Sequence, residues 1–272
     1  MKNSANNKFK SDSQRLALSL QVSLVFKEQW FGLGVSVVHT LILRYVTNQH
    51  FTYLRGFMDY SVLPIVDLYP IEEPDFGGSI ISPEILNSAD EYADFIAYRR
   101  SHGAVQSEVS EKLSNLNAYK ECKRKMLRLK DVPNINKYRN MPESYCHESV
   151  QKELVKNGCY LSPGQQLFHG GIFPLLNDCG EPILNCEFTL TKPLSTTFCA
   201  MIAGAHSDTH LTRQLWVVSV SEQCKVPVYV FSNAQNQVQG RELEVLFSGG
   251  ARIKCLNSRH NVHYDILEIV LT

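Results

Sequence analysis

The chain has 272 residues, of which 44% are hydrophobic, so it can bury a sizeable core and is not an intrinsically disordered protein. Its 27 Lys and Arg residues are balanced by 27 Asp and Glu residues. Because nucleic acids and anionic membranes both attract an excess of positive charge, this balance argues against either as a partner.

The eight cysteines contain no CxxC pair, so neither a zinc site nor any other metal site is predicted. Several cysteines lie in apolar runs, as is typical of buried free thiols in a reducing compartment. Residues 1–13 are rich in Asn, Ser and Lys and lack the apolar segment of a classical signal peptide, so we predict that they are disordered. The apolar stretch 30–46 is too short for a transmembrane span.

Proline and glycine are dense between residues 64 and 83, which predicts a linker at the end of an N-terminal extension, residues 1–80. Ser82, Pro83 and Glu84 then predict the start of a helix, with Ser as its cap and Pro in its first turn. Apolar spacing predicts further helices at about 107–129 and 148–156. Residues 81–160 are therefore expected to form a helical lobe.

From residue 161 onward, short apolar runs alternate with turn residues. The candidate strands are 166–169, 187–190, 215–220, 226–231, 242–247, 251–256 and 263–271, with one helix at 198–205. A block of helices followed by a block of strands predicts an α+β fold, with its core in residues 161–272.

Glutamates stand two residues apart in the segment 241–247, RELEVLF. If 242–247 is a strand, Glu242 and Glu244 share one face, because side chains alternate along a strand. Two carboxylates on one face repel each other and destabilise the strand unless something uses them. The alternative is an acidic strand edge exposed to solvent.

Two further segments carry polar residues at strand ends. In 194–198, LSTTF, Ser195 closes a strand-like stretch at 187–194, and Thr196 or Thr197 can cap the following helix. Ser195 can instead hydrogen-bond a carboxylate on an adjacent strand. In 167–171, LFHGG, His169 precedes two glycines, which let a ligand approach the backbone closely. The alternative is a histidine at a strand end before a tight turn.

In this order the three segments resemble the mono-ADP-ribosyltransferase family of bacterial toxins and effectors and their vertebrate ecto-enzyme relatives. Members carry aromatic-Arg or aromatic-His on a first strand, a Ser-Thr-Ser-like segment on a second, and Glu-x-Glu or Gln-x-Glu on a third. This chain combines these motifs into a hybrid His–Ser–Glu set. The resemblance covers residues 160–272 and, more weakly, the helices from 82 to 157. It implies a split, mostly antiparallel sheet preceded by a helical lobe.

The resemblance also implies roles for individual residues. Glu244 is expected to stabilise the cation that forms when NAD loses nicotinamide, with Ser195 orienting it. Glu242 is expected to orient the incoming nucleophile and accept its proton. His169 is expected to bind the adenosine-side ribose or a phosphate. The remaining NAD-binding residues implied are Gly170, whose backbone would hold the nicotinamide amide, together with Thr196, Thr197 and Phe198.

The implied function is NAD-dependent mono-ADP-ribosylation of a host protein by a monomeric bacterial effector or toxin. The resemblance implies that the protein is secreted without a classical signal peptide and acts in the host cytosol. If it is not secreted, it is expected to be cytoplasmic. Candidate protein substrates are a GTPase, actin or ubiquitin, with the acceptor open between arginine and a hydroxyl residue. The alternatives are an NAD glycohydrolase on the same fold, a non-catalytic binding module, and a cysteine hydrolase using a residue such as Cys146 or Cys159.

Overall fold

The computed structural model describes residues 61–73, 84–99, 103–141, 143–210, 213–232 and 243–272. The chain divides into two compact units, Met1–Asp59 and Tyr60–Thr272, and every described residue belongs to the second. The tail at 1–13 and the apolar stretch at 30–46 lie outside the described residues. Within the described ranges, no helix combines the length and apolar composition that crossing a bilayer requires.

Six α-helices form within the described ranges, most of them before the main sheet. They are α1 (Ala89–Arg99), α2 (Gly103–Asn115), α3 (Asn117–Lys125), α4 (Pro133–Asn140), α5 (His147–Asn157) and α6 (Ala200–Ser207). Among the strands of the large sheet only α6 intervenes in chain order, which agrees with the predicted α+β class.

Strands of the described ranges form one large sheet and two small two-stranded sheets. In chain order they are β1 (Val62–Leu63), β2 (Ile71–Glu72), β3 (Ile85–Leu86), β4 (Tyr160–Leu161), β5 (Gln166–Gly170), β6 (Glu187–Thr189), β7 (Leu194–Thr197), β8 (Gln214–Val220), β9 (Val228–Val230), β10 (Glu244–Phe247), β11 (Arg252–His260) and β12 (Asp265–Leu271). The large sheet has the order β6-β11-β12-β8-β5-β7-β10-β9, and its pairs are antiparallel except β12 with β8.

The large sheet is split in the middle, between β5 and β7. Five residue pairs join β5 to β8, and four join β7 to β10, but a single pair, Phe168 with Thr197, joins β5 to β7. The two halves therefore diverge beside this pair, as the predicted split sheet requires. We call this junction the seam.

Two hydrophobic cores hold the helices on the sheet. The larger core includes residues of the two small sheets, such as Leu63 of β1 and Ile71 of β2, so the segment 61–73 is part of the folded unit. The smaller core fixes α4 and α5 over the β9–β10 end of the large sheet. Its buried members are Val132, Ile135, Val150, Leu154, Tyr229, Phe231 and Leu246.

Several predicted helices have different bounds in the structure. The first begins at Ala89 rather than at 83, because Ile85–Leu86 pair with β2 as β3. The helix predicted at 107–129 is two helices, α2 and α3, since Leu116 is extended with ψ 127°. The helix predicted at 198–205 begins at Ala200, because Cys199 is also extended.

Two strand predictions are also corrected. The stretch 187–194 is not one strand: β6 lies at the edge of the large sheet, and four other strands lie between it and β7. Pro193 separates them, and proline has no N–H to donate to a strand ladder. The strand predicted at 242–247 begins at Glu244, because Leu243 adopts the left-handed conformation with φ 48°.

Candidate active site

A cavity of about 470 Å³ opens at the seam, where the sheet halves separate and α4 and α6 approach. Its wall combines acidic, basic, hydroxyl and aromatic side chains from both halves of the sheet. The lining residues are Tyr138, Arg139, Tyr145, Phe168, His169, Gly170, Ser195, Thr196, Thr197, Ile202, Ala203, His206, Thr209, His210 and Glu244. Most of the residues singled out in the sequence therefore meet in one place.

Glu244, at the start of β10, is the buried acid of this cavity, with 4% of its surface exposed. Antiparallel pairing sets Glu244 opposite Thr197 and Leu246 opposite Ser195, so Glu244 and Ser195 share a face as diagonal neighbours. The Ser195 hydroxyl donates a hydrogen bond to Glu244 Oε1 at 2.7 Å. Glu244 thus does not lie on a solvent-exposed strand edge. Ser195 hydrogen-bonds the carboxylate on the adjacent strand, as the second of its predicted roles requires.

The hydroxyls after Ser195 serve the local fold. Thr196 Oγ1 donates to the Val245 carbonyl at 2.8 Å and ties β7 to β10. Thr197 Oγ1 accepts the N–H of Cys199 at 3.1 Å, just before α6 begins. Both threonines still line the cavity. Phe198 does not: it is buried in the larger core, with its ring packed edge-on against Tyr119.

His169, at the end of β5, reaches across the seam. Its Nδ1 donates to the Ser195 carbonyl at 2.7 Å, which fixes the tautomer and leaves Nε2 as a hydrogen-bond acceptor. The ring packs edge-on against Trp216, at 4.5 Å between ring centroids. Burial lowers the pKa of His169 to about 4, an effect that His206 and His210 reinforce and the bond to the Ser195 carbonyl opposes. The ring is therefore neutral at physiological pH.

The two glycines after His169 are explained by packing. A Cβ on Gly170 would stand 1.8 Å from the Ala203 carbonyl oxygen, so α6 can lie against β5 only because this side chain is absent. A Cβ on Gly171 would stand 2.4 Å from His169 Nε2. The glycines thus admit the helix and the histidine ring, rather than a ligand, on their Cβ sides.

The first glutamate of the pair, Glu242, lies outside the described residues, as does the preceding segment 233–240, NAQNQVQG, for which the amide-rich sequence predicts a loop. Leu243 is buried, and its carbonyl accepts the N–H of Phe198 at 3.2 Å. Because Leu243 is left-handed, the alternation that would place Glu242 and Glu244 on one face does not extend through it. Since Glu242 itself lies outside the described residues, its position on the same face as Glu244 stays a prediction.

The predicted helices do not include α4, and its residues Tyr138 and Arg139, which line the cavity, were not among the predicted site residues. The Tyr138 hydroxyl donates a hydrogen bond to Glu244 Oε1 at 3.0 Å. The Arg139 guanidinium is buried and lies 4.4 Å from the centre of the Phe231 ring. Pro133 at the first helical position, with Ile135, Tyr138 and Arg139 at helical spacing, is the signal that could have identified this helix.

Tyr138 keeps its hydroxyl proton at physiological pH. Burial raises the pKa of its hydroxyl far above its ordinary range, and the charge of Glu244 raises it further. The hydrogen from Tyr138 to Glu244 therefore stays on the phenol, which acts as a donor to the carboxylate. The other cavity residues missed from the sequence are Tyr145, between α4 and α5, and His206, Thr209 and His210 at the end of α6.

No protein-family model matches this chain. A search of curated proteins also found no match. Similar solved structures include the Vis toxin, an ADP-ribosyltransferase from Vibrio splendidus, at 14% identity and a TM-score of 0.38 over 63% of this chain and 87% of that one. C3larvin toxin, an ADP-ribosyltransferase from Paenibacillus larvae, has 14% identity and a TM-score of 0.38 over 58% of this chain and 96% of its own.

A third similar structure is C3stau2 from S. aureus, solved with NAD, at 8% identity and a TM-score of 0.39 over 54% of this chain and 89% of its own. All three similarities are distant. The contacts among the cavity residues, together with the order of the sequence motifs, therefore carry the functional assignment.

Proposed function

We propose that the cavity binds NAD and that the protein transfers ADP-ribose from NAD to a protein side chain. The observation that carries this proposal is the hydrogen bond from Ser195 to Glu244, 2.7 Å long, inside a cavity that His169 also lines. These are the three residues of the His–Ser–Glu motif set, and they come from three different strands.

The chemistry follows from the buried carboxylate. When the bond between nicotinamide and the ribose C1′ breaks, its electron pair leaves with nicotinamide and the ribose becomes oxocarbenium-like. A fixed carboxylate in a partly desolvated site stabilises that positive charge better than water does. Glu244 is such a group, since it is 4% exposed and its rotamer is held by donors from β7 and α4. The acceptor side chain then bonds to C1′ and loses its proton.

The neutral His169 ring favours one of its two expected roles. With Nδ1 committed to the Ser195 carbonyl, Nε2 can accept a hydrogen bond from a ribose hydroxyl. A neutral ring attracts a phosphate less than an imidazolium would, so the adenosine-side ribose is its proposed ligand. Gly170, Thr196 and Thr197 complete the proposed NAD-binding wall, and the Gly170 backbone is proposed to hold the nicotinamide amide.

Glu242 and the loop 233–240 complete the proposal on the side of the protein substrate. Glu242 would hold the incoming nucleophile and accept its proton, and the loop would contact the target. A GTPase, actin and ubiquitin remain the proposed targets. The Asn- and Ser-rich N-terminus suits a bacterial effector delivered into a host cell, where such targets are abundant.

The alternative of a cysteine hydrolase, with Cys146 or Cys159 as the nucleophile, has no comparable support in the structure. Cys159 is buried, with its Sγ 3.2 Å from Ser61 Oγ, and Cys146 is exposed where α5 begins. Neither of them lines the cavity.

Nicotinamide release tests the reaction on NAD itself. The wild-type protein is expected to release nicotinamide, and Glu244→Gln is expected to lower the rate at least 100-fold, because the amide cannot stabilise the cation electrostatically. Glu187→Gln is the matched control, since Glu187 pairs with Arg252 on the exposed edge of the sheet. A Glu244→Gln variant that is folded and retains most of the rate would remove Glu244 from catalysis.

Glu242 is expected to separate transfer from NAD cleavage. In Glu242→Gln, labelling of protein from a eukaryotic lysate should fall about 10²–10⁴-fold through loss of the general base, while nicotinamide release persists. Equal loss of both activities would place Glu242 in the NAD site instead. Nicotinamide release without any labelled protein in the wild type would identify an NAD glycohydrolase.

A further inference from the structure

The carboxylate of Glu244 receives two hydroxyl donors on the same oxygen. Ser195 on β7 donates to Oε1 at 2.7 Å, and Tyr138 on α4 donates to Oε1 at 3.0 Å. One donor is 49 residues from Glu244 in sequence and the other 106, so the two contacts come from separate elements of the fold.

Tyr138 is itself held in place. Its ring packs edge-on against Tyr145, at 4.9 Å between centroids, and Tyr145 packs in the same way against His147. Ile135, one turn before it on α4, is anchored in the smaller core. These contacts restrict the rotamers open to the Tyr138 side chain and hold its hydroxyl at the Glu244 carboxylate.

We propose that Tyr138 is a positioning residue for Glu244, so that α4 supplies part of the catalytic machinery on which the proposed NAD cleavage depends. Hydrogen bonds from two hydroxyls fix the carboxylate's rotamer and favour its ionised form, which is the form that stabilises the oxocarbenium-like ribose. Tyr138 acts through Glu244 and itself forms no bond to the reacting carbon.

The groups that face Glu244 leave Tyr138 as the donor that can be removed cleanly. Arg139 lines the same cavity from α4 and is the same in the variants compared below. His169, Tyr145, His206 and His210 also line it; the pKa of His169 lies at about 4, and all four residues are the same in the variants compared below. Removing the Tyr138 hydroxyl therefore changes the hydrogen bonding of Glu244 without changing any charge around it.

The test compares two phenol-to-phenyl changes. Tyr138→Phe removes only the hydroxyl on Glu244. Tyr229→Phe removes a hydroxyl that donates to the Leu127 carbonyl at 2.6 Å, outside the cavity, and controls for lost stability. We expect kcat for nicotinamide release to fall about 10- to 100-fold in Tyr138→Phe, with KM for NAD within about twofold. The acid limb of its pH–rate profile should move to higher pH, and that of Tyr229→Phe should not.

A second readout does not need activity. In the full chain with ¹³C-labelled glutamate, the titration midpoint of Glu244, assigned with Glu244→Gln, should rise in Tyr138→Phe and stay unchanged in Tyr229→Phe. An unchanged midpoint together with an unchanged kcat overturns the positioning role. A wild-type protein that releases no nicotinamide overturns the proposed function instead, and the midpoint then still decides whether Tyr138 sets the ionisation of Glu244.

Discussion

At the scale of single residues, His169 links the two halves of the large sheet. Its bond to the Ser195 carbonyl crosses the seam next to the single β5–β7 pair. A protonated imidazole in this buried place would be costly, so the fold keeps the ring neutral. The residue proposed to bind the ribose is therefore also a structural residue, and its ionisation is linked to stability.

The pH dependence of stability should show this linkage. The pKa of His169 is lowered to about 4 in the folded protein, against an ordinary value of about 6.5, so below pH 6.5 the unfolded chain binds a proton that the folded protein does not. The stability that comes from keeping His169 neutral is fully present above pH 6.5 and is lost as the pH falls towards 4. We expect a loss on the order of 2 kcal/mol, less than full burial would give, because the ring is partly open to the cavity.

Urea unfolding at several pH values measures this contribution. In His169→Asn, the amide can still donate to the Ser195 carbonyl but does not titrate, so the wild type should lose stability relative to this variant as the pH falls. His263→Asn, at a histidine outside the cavity, is the control and should follow the wild type. If wild type and His169→Asn keep a constant difference across the range, His169 is not held neutral.

At the scale of elements, α4 depends on its neighbour α5. Glu153 on α5 accepts the N–H of Ile135 on Oε2 at 2.7 Å and the side-chain amide of Asn134 on Oε1 at 3.1 Å. The first N–H groups of a helix have no partner within the helix, and a negative charge there also complements the helix dipole. Glu153 thus caps α4 from outside and holds the helix that presents Tyr138.

Removing this cap should weaken both the fold and the site. Glu153→Ala is expected to lower the free energy of unfolding by about 1–2 kcal/mol, the usual effect of losing a cap, and to slow nicotinamide release because Tyr138 becomes less well fixed. Glu143→Ala, at an exposed glutamate between α4 and α5, is the control. Calorimetry and the release assay measure the two effects, and an unchanged melting temperature would contradict the capping role.

The elements also show what the sequence could and could not predict. Strands such as β8 and β12 were predicted within one or two residues, because alternation and apolar runs are local signals. The helix α4 was missed because it is short and mostly polar, with few apolar residues to reveal a period. The bond from Tyr138 to Glu244 joins residues 106 positions apart, and no local pattern specifies such a contact.

At the scale of the whole molecule, every described residue that lines the cavity belongs to the unit Tyr60–Thr272. The segment 61–73 belongs to the core of this unit: Leu63 and Ile71 are fully buried, and β1 pairs with β4. The extension predicted at 1–80 therefore contains residues that the folded unit needs.

Two truncated chains should separate these contributions. Residues 60–272 are expected to unfold in one cooperative transition and to retain nicotinamide release, because the described core and cavity are complete within them. Residues 81–272, which follow the predicted boundary, should be unstable, since they lack β1, β2 and their buried side chains. Circular dichroism melting and the release assay compare the two, and a stable, active 81–272 chain would contradict this view.

The seam gives a ligand a mechanical role. A molecule that contacts His169 on one half of the sheet and Glu244 on the other would brace two parts that the backbone joins through one residue pair. Binding to the folded state alone adds about 2.7 kcal/mol of stability when the ligand stands at 100 times its Kd. Resistance to heat and to proteases should therefore rise with the concentration of ligand around the protein.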